Sequence, residues 1–199
     1  MSDALVPPTA LPVAPQGVRA SGWYGLVFLI ATEAALFVYL LFSYFLLASQ
    51  APGPWPPSGA PPILSAAINT AILLASSLTA WWGQRGIERG SSPRLVAGLV
   101  LSLILGTAFV AVQVHDWMHK PFSPRTDAYG SLFYTITGVH IAHVAVGLFM
   151  LACLTLWAAL GRFSAKRHLH VTVGVLYWHF VDAVWLVVFT TFFLTPRLG

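Results

Sequence analysis

The sequence predicts an all-α membrane protein, a bundle of five transmembrane helices, from its composition, its apolar segments and the placement of its charges. Hydrophobic residues make up 57% of the 199 residues, whereas Asp, Glu, Lys and Arg together make up only 8%. A soluble domain carries about a quarter charged residues, so the composition excludes a soluble enzyme and a disordered regulator. Ten Lys and Arg residues against six Asp and Glu residues form no dense basic stripe, which excludes a nucleic-acid binder.

The chain is predicted to begin with a mobile, proline-rich tail at residues 1–21, ahead of a single membrane domain at residues 22–199. The tail contains four prolines, one acid and one base. It lacks the basic start and the apolar centre of a signal peptide. We therefore expect a short terminal segment and no cleaved leader.

Five segments are long and apolar enough to cross a hydrocarbon core of about 30 Å, which needs about 20 residues. In chain order the predicted spans are Trp23 to Ala48, Ile63 to Trp82, Leu95 to Val114, Ser131 to Leu160, and Val171 to Leu194. The middle three contain no Asp, Glu, Lys or Arg, while the first contains only Glu33 and the fifth only Asp182. Because the segments are apolar on every face, they are predicted to be helices rather than alternating barrel strands.

The connections between the spans predict how the helices are arranged. Residues 51–62 contain six prolines and no charged residue, which favours an extended, stiff loop. The other connections are short, and short connections usually join neighbours. Consecutive helices are therefore expected to be antiparallel neighbours in one bundle.

Lys and Arg residues are unevenly divided between the two faces of the predicted bundle. One face carries Arg19, Arg85, Arg89, Arg94, Arg162, Lys166 and Arg167, and the other carries Lys120, Arg125 and Arg197. Basic residues concentrate on the cytoplasmic side of membrane proteins. The count predicts a cytoplasmic amino terminus and a carboxy terminus outside.

Small and polar residues in the second and third spans predict close helix contacts. Gly98, Ser102 and Gly106 lie four residues apart and form a stripe along one face, as in helices that pack closely inside lipid. The second span adds polar residues that can bond across helices, namely Asn69, Ser76, Ser77 and Thr79. We interpret both sets as structural.

Glu33 is one of two acids at membrane depth, where an ionisable side chain indicates a functional site. It lies about ten residues into the first span, near the middle of the membrane. No basic residue lies within helical reach of it on that span. The residues leave two interpretations open: a neutral carboxylic acid hydrogen-bonded across a helix interface, or a carboxyl group that handles protons or has a regulatory role.

Asp182, the second acid, follows His179 by three residues, so the two side chains share a helix face and can bond. We interpret this pair mainly as structural, orienting neighbouring helices or a lipid headgroup. His140 and His143 in the fourth span are also three residues apart. Together with His179 they raise the hypothesis of a metal or haem site, although no acid or Cys stands at the usual ligand spacing. Signatures of soluble enzymes are missing, so no catalytic centre is expected in this chain.

Four ordered motifs stand out along the predicted spans. They are Phe28 to Glu33, Asn69-Thr70 through Ser76-Ser77, Tyr129-Gly130-Ser131 through Gly147, and Tyr177 to Trp185, which reads Tyr-Trp-His-Phe-Val-Asp-Ala-Val-Trp. Together they resemble subunit III of the haem-copper respiratory oxidases, the cytochrome c and quinol oxidases, and the last motif is similar to the hallmark of the family's last helix. The resemblance runs from about Trp23 to the end, and five helices resemble the shorter bacterial form of the family.

The resemblance implies a non-catalytic subunit of a proton-pumping terminal oxidase, in which subunit I reduces oxygen to water. It implies that the chain itself binds no haem or copper, retains structural phospholipids, and packs directly against subunit I. The chain would support proton uptake by subunit I and its survival through turnover. Subunit II, subunit IV and a respiratory supercomplex are further expected partners, and the expected location is the bacterial inner or plasma membrane.

The resemblance also assigns expected roles to individual residues. Glu33 corresponds to the family's buried, carbodiimide-sensitive carboxyl group. Polar residues that contact lipid or neighbouring helices correspond to His140, His143, His179, Asp182 and Asn69. No catalytic, cofactor-binding or metal-binding residue is implied.

The chain departs from the family pattern at three places. Gln113-Val114-His115-Asp116-Trp117 stands where the family commonly has Gln-x-x-Glu-Tyr, Thr172 stands in place of a glutamate, and Ile141 in place of a glycine. Two alternatives stay open beside the oxidase interpretation. They are an accessory protein of a nitric oxide reductase, which shares the helical motifs, and a haem-b electron-transfer protein that uses the three histidines.

Overall fold

The computed structural model describes residues 21–57 and 59–197, with side-chain surroundings from Trp23 onward. Its helices are α1 Ser21–Gln50, α2 Ile63–Glu88, α3 Ser92–Met118, α4 Ala128–Ala159 and α5 Leu169–Phe189. A π-helical turn at Thr190–Leu194 and a 3₁₀ turn at Thr195–Arg197 continue α5. All five helices are long and apolar enough to span a membrane, which confirms the predicted fold class. The predicted tail at residues 1–21 lies outside the described residues, apart from Ser21.

Most helices extend beyond the predicted spans. α2 continues past Trp82 to Glu88, and α3 begins at Ser92 and ends at Met118. The predicted spans stop where charged residues begin, but the helices do not. Outside the hydrocarbon a charged side chain is solvated, and the backbone hydrogen bonds of the helix continue past it. α3, with 27 residues, is about 40 Å long, enough to cross the headgroup layers as well as the hydrocarbon core.

Local sequence accounts for several helix boundaries. Pro93 stands in the first turn of α3, where its missing N–H costs no helical bond. Asp127 precedes α4, and its Oδ1 accepts a hydrogen bond from the Gly130 N–H at 2.6 Å. The proline-rich connection between α1 and α2 contains no helix in its described residues, as its composition predicts.

The helices form a closed group of four with a fifth helix outside it. α2 packs against α3, α3 against α4, α4 against α5, and α5 against α2, whereas α1 packs against α4 and α5. The prediction that consecutive helices are neighbours is therefore wrong for α1 and α2. α5 packs against both α1 and α2 and so separates them, and the twelve residues 51–62 connect the two helices.

The two basic loops lie at the same end of the bundle. The start of α3, at Pro93 and Val96, faces the end of α4, at Ala159 and Gly161, across a shallow groove. At the opposite end, the Arg197 guanidinium donates to the carbonyl oxygen of Pro61. Arg19 lies outside the described residues. For the other Lys and Arg residues, the predicted division between two faces agrees with this arrangement, and the cytoplasmic location of the more basic face stays a prediction.

Trp178 of α5 lies at the centre of the four-helix group and is completely buried. Its indole N–H donates to the Ser76 hydroxyl of α2 at 3.0 Å. Its ring fills the space beside two glycines: a Cβ at Gly106 of α3 or Gly147 of α4 would lie within 2.9 Å of the ring. One side chain thus contacts all three other helices of the group.

The small-residue stripe of α3 packs as predicted. A Cβ added at Gly98 would lie 2.6 Å from the Cα of Gly83 and from the carbonyl oxygen of Thr79. One turn further on, the Ser102 hydroxyl donates to the Ser76 carbonyl at 2.7 Å and pairs with the Thr79 hydroxyl at 2.8 Å. Close backbone approach and polar contacts therefore hold α2 and α3 together.

Replacing Thr70 with valine is expected to lower the free energy of unfolding by about 1 kcal/mol. The Thr70 hydroxyl is the acceptor for the buried Trp185 indole N–H at 2.9 Å, and valine keeps the shape but removes the acceptor. The measurement is denaturant unfolding of the full chain in mixed micelles. Thr70→Ser keeps the hydroxyl and is expected to unfold close to the original chain; equal losses in both variants would contradict the role given to the hydrogen bond.

Candidate functional site

Glu33 and His143 form an ion pair or hydrogen bond between α1 and α4, with Oε2 and Nε2 separated by 2.9 Å. Their side chains are 29% and 16% exposed, so the pair is largely enclosed and still open on one side. The partner of Glu33 thus lies on another helix, as expected for an acid with no base on its own span. An acid–base pair lowers the cost of placing either group within a membrane.

The imidazole of His143 is held in one orientation. Its Nδ1–H donates to the Val139 carbonyl oxygen of the preceding turn at 2.7 Å, because a carbonyl can only accept. Nε2 therefore faces Glu33 and is the ring atom that can gain or lose a proton. One proton can lie on the Glu33 carboxyl or on His143 Nε2, and the pair has no net charge in either arrangement.

A groove of about 250 Å³ opens beside this pair. It is lined by residues of α1, α4 and α5, namely Leu29, Glu33, Ala142, His143, Val146 and Tyr177. Apart from Glu33, His143 and the Tyr177 hydroxyl, the walls are apolar. The groove gives the carboxyl group access to the surface of the bundle that faces the hydrocarbon.

His140, one turn before His143, occupies a different environment. It is completely buried and lies among the rings of Phe37, Phe109 and Trp185, at centroid distances of 6.4, 6.0 and 5.0 Å. Neither ring nitrogen has a hydrogen-bond partner among the described residues. These aromatic rings belong to α1, α3 and α5, so His140 is a helix-packing residue by its contacts.

His179 and Asp182 do not form the expected pair. The Nδ1 of His179 bonds to the Ser77 hydroxyl of α2 at 2.5 Å. Asp182 is buried, and its carboxylate oxygens have no hydrogen-bond partner within the described part of the chain, although the Ser77 side chain lies close by. The sequence showed that the two residues share a face, but α2 supplies a nearer hydroxyl to the imidazole.

Asn69 contacts a neighbouring helix, as predicted for the polar residues of the second span. It is buried in α2, and its amide nitrogen donates to the Phe109 carbonyl oxygen and to Gln113 Oε1 of α3, at 3.3 and 3.4 Å. An amide that bonds to backbone and side chain of one neighbour fixes the register of the two helices. Its position in the structure supports a structural role.

The three membrane-buried histidines are not brought together. His143 pairs with Glu33, His179 with Ser77, and His140 packs among aromatic rings. Among the described residues, no group of three His, Cys, Asp or Glu side chains is arranged to hold a metal ion. The geometry therefore lends no support to a shared ligand set of these histidines.

A polar cluster at the opposite end from the basic loops was missed by the sequence analysis. Lys120 Nζ lies 3.3 Å from Asp116 Oδ2, to which the Ser65 hydroxyl also donates at 3.3 Å. The ammonium lies 5.8 Å from the ring centroids of Phe133 and Phe193. The spacing of four residues between Asp116 and Lys120 could have indicated the pair. This acid stands in the segment where the chain departs from the oxidase pattern.

The sequence of the chain is similar to proteins of one known family. A family model described as cytochrome c oxidase subunit III matches residues 13–196. The chain belongs to the cytochrome c oxidase subunit III family. Curated relatives are longer: cytochrome c oxidase subunit 3 of Scyliorhinus canicula is 33% identical over 85% of this chain and 68% of its own length. The subunit of Petromyzon marinus is 34% identical over 89% and 69%, and that of Coturnix japonica is 33% identical over 92% and 71%.

Membership of the subunit III family determines the general function. The chain is a haem-copper oxidase subunit and therefore part of an oxidoreductase complex, in which it associates with other oxidase subunits. Its five apolar helices make it a multi-pass membrane protein. The resemblance inferred from the four motifs is confirmed, and the roles of individual residues stay proposals.

Proposed function

We propose that the chain is the non-catalytic subunit III of a proton-pumping terminal oxidase in a bacterial cell membrane, where subunit I reduces oxygen to water. The chain stabilises subunit I, its direct partner, retains phospholipid and supports proton uptake. Subunit II, subunit IV and a respiratory supercomplex complete the proposed assembly. Haem and copper belong to the partner subunits in this proposal. Its support is the family membership together with the geometry around Glu33.

The Glu33–His143 pair is the observation that carries the proton-related part of the proposal. The two atoms that can exchange a proton are 2.9 Å apart, within normal hydrogen-bond distance. His143 is fixed by Val139, so the transfer needs no rotation of the ring. A proton can therefore move between the two groups, beside a groove at the edge of the bundle, with little movement of the protein.

The lipid-related part of the proposal rests on the surface around α1. Phe28, Val38 and Phe42 are 72%, 66% and 62% exposed, so α1 presents a large apolar face beyond its contacts with α4 and α5. The groove beside Glu33 continues this face inward. Acyl chains, or apolar residues of subunit I, are the groups that such a surface accommodates.

Neither alternative gains support from a specific observation. The relatives named above are cytochrome c oxidase subunits, which favours an oxidase over a nitric oxide reductase. The separate partners of His140, His143 and His179 do not favour a haem-b site.

Replacing Glu33 with glutamine is expected to leave assembly of the oxidase intact while it removes carbodiimide labelling of this subunit. Glutamine keeps the size of the side chain and can bond to His143 Nε2, but it cannot hold the exchangeable proton. The purified complex should also lose activity after fewer turnovers than the original complex. Labelling, subunit content and oxygen consumption over repeated turnovers are the measurements.

Glu88→Gln is the matched control. Glu88 lies at the end of α2, where its carboxylate is 3.6 Å from the Arg85 guanidinium, and it does not line the groove beside Glu33. This variant should keep the labelling and the turnover lifetime. Unchanged labelling in Glu33→Gln would show that Glu33 is not the reactive carboxyl. A reduced-minus-oxidised haem band from the isolated chain would overturn the non-catalytic assignment.

A further inference from the structure

The end of α3 brings two histidines and a methionine within one helical turn. The last residues of the helix and the residue that caps it read His-Asp-Trp-Met-His, from His115 to His119. Met118 and His119 lie one turn after His115, on either side of it, because successive residues are about 100° apart around a helix. The proposed function gives no role to these three side chains.

The two imidazole rings lie side by side at the surface of the bundle. Their centroids are 4.2 Å apart and their planes are inclined by 30°. Both histidines are exposed, and Met118 is 71% exposed. Burial of apolar surface therefore does not explain why the three side chains are grouped, and an ion has access to all of them.

A hydrogen bond to the backbone fixes the orientation of the His119 ring. Its Nδ1 lies 2.8 Å from the His115 carbonyl oxygen, and because a carbonyl can only accept, Nδ1 carries the proton. Nε2 is then the ring atom with a free electron pair. Metal-binding histidines commonly have this arrangement, in which the other ring N–H donates to a backbone carbonyl and makes the ligand atom more basic.

The charged neighbours are paired with each other rather than with the two imidazoles. Lys120 Nζ lies 3.3 Å from Asp116 Oδ2, and the Lys120 side chain is only 6% exposed. The Ser65 hydroxyl donates to the same carboxylate oxygen. Since no group of three His, Cys, Asp or Glu side chains in the described part of the chain could hold a metal ion, a third protein ligand must be of another kind. The thioether of Met118 stands at the required spacing.

We propose that His115, Met118 and His119 bind a cuprous ion, Cu(I), through one nitrogen of each imidazole and the thioether sulfur. Imidazole alone suits zinc, nickel and copper, whereas a thioether is a soft ligand that selects Cu(I). The site lies at the opposite end of the bundle from the basic loops, on the face predicted to be outside. His115 stands in the segment where the chain departs from the family pattern, so the resemblance does not predict the site. The inference goes beyond the proposed function, which assigns copper only to partner subunits, and does not depend on it.

The experiment titrates the purified full chain in mixed micelles with Cu(I) against a chromophoric Cu(I) chelator, and with Zn²⁺ separately. Without partner subunits, no other copper contributes to the signal. H115Q/H119Q should bind Cu(I) at least about a hundredfold more weakly, since loss of a residue that only supports a metal ligand already costs up to about that factor. M118L should bind Cu(I) about tenfold more weakly and Zn²⁺ with unchanged affinity. Helical circular dichroism shows whether each variant is folded.

H168Q/H170Q is the matched control, because it removes two histidines at the start of α5, at the opposite end of the bundle. It should bind Cu(I) as the original chain does. X-ray absorption of the Cu(I)-loaded chain should show one sulfur ligand that is lost in M118L. Equal Cu(I) affinity of the original chain and H115Q/H119Q would overturn the site. An M118L variant with unchanged Cu(I) affinity, or with equal losses of Cu(I) and Zn²⁺ affinity, would overturn the assignment to Cu(I).

Discussion

Replacing Trp178 with alanine is expected to lower the free energy of unfolding by about 3–5 kcal/mol, the range for truncating a buried aromatic side chain. The ring lies against Gly106 and Gly147, which have no side chains of their own to move into the cavity that the substitution leaves. The substitution also leaves the buried Ser76 hydroxyl without the indole donor. Denaturant unfolding of the full chain in mixed micelles, followed by helical circular dichroism, measures the loss.

Trp81→Ala is the control for this prediction. Trp81 is 45% exposed, and its main polar contact is the Arg85 guanidinium, 5.5 Å from the ring centroid. We expect a loss of about 1 kcal/mol or less, as for an exposed cation–π contact. Equal losses for Trp178→Ala and Trp81→Ala would contradict the central position of Trp178 in the packing.

Gly98→Ala is expected to destabilise the contact between α2 and α3 by about 1–3 kcal/mol, the cost of overpacking. The added Cβ would lie 2.6 Å from the Cα of Gly83 and from the Thr79 carbonyl oxygen. Both are backbone atoms and cannot rotate away, so the two helices must separate. Thermal unfolding of the purified complex and retention of this subunit during purification measure the effect.

Gly138→Ala provides the comparison, because nothing lies within 4 Å of a Cβ at that position in α4. Alanine also favours a helix over glycine by up to about 1 kcal/mol, so this variant should be neutral or slightly more stable. A destabilised Gly138→Ala with an unaffected Gly98→Ala would contradict the packing of the small-residue stripe.

The candidate site could be predicted only in part from the sequence. Glu33 was identified because an acid within an apolar span is rare, and rarity is visible in a sequence. Its partner His143 is 110 residues away, and only the packing of α1 against α4 brings the two together. The local rule that residues three apart share a face was correct for His179 and Asp182, but it could not show that Ser77 of α2 is the partner of His179.

The basic connection between α4 and α5 and the Asp116–Lys120 pair also show what the sequence could and could not predict. The basic residues of the α4–α5 connection could be counted from the sequence, where they predicted the cytoplasmic face. Arg162 and Arg167 lie on one pocket with Trp157 because of the backbone turn that ends α4 and the position of the start of α5. Lys120 was counted as a loop residue, whereas α3 extends far enough to place Asp116 one turn before it.

The sequence by itself determined the membrane class, the five helices and the family, because these depend on composition, on apolar length and on short ordered motifs. Only the tertiary structure decided that α1 lies outside a closed group of four helices, that Trp178 is at the centre of that group, and that Glu33 is paired with His143. The physical reason is that apolar length makes a helix stable in lipid whichever face it presents. The choice of face depends on glycine contacts, hydrogen bonds and ion pairs between residues that are far apart in the chain.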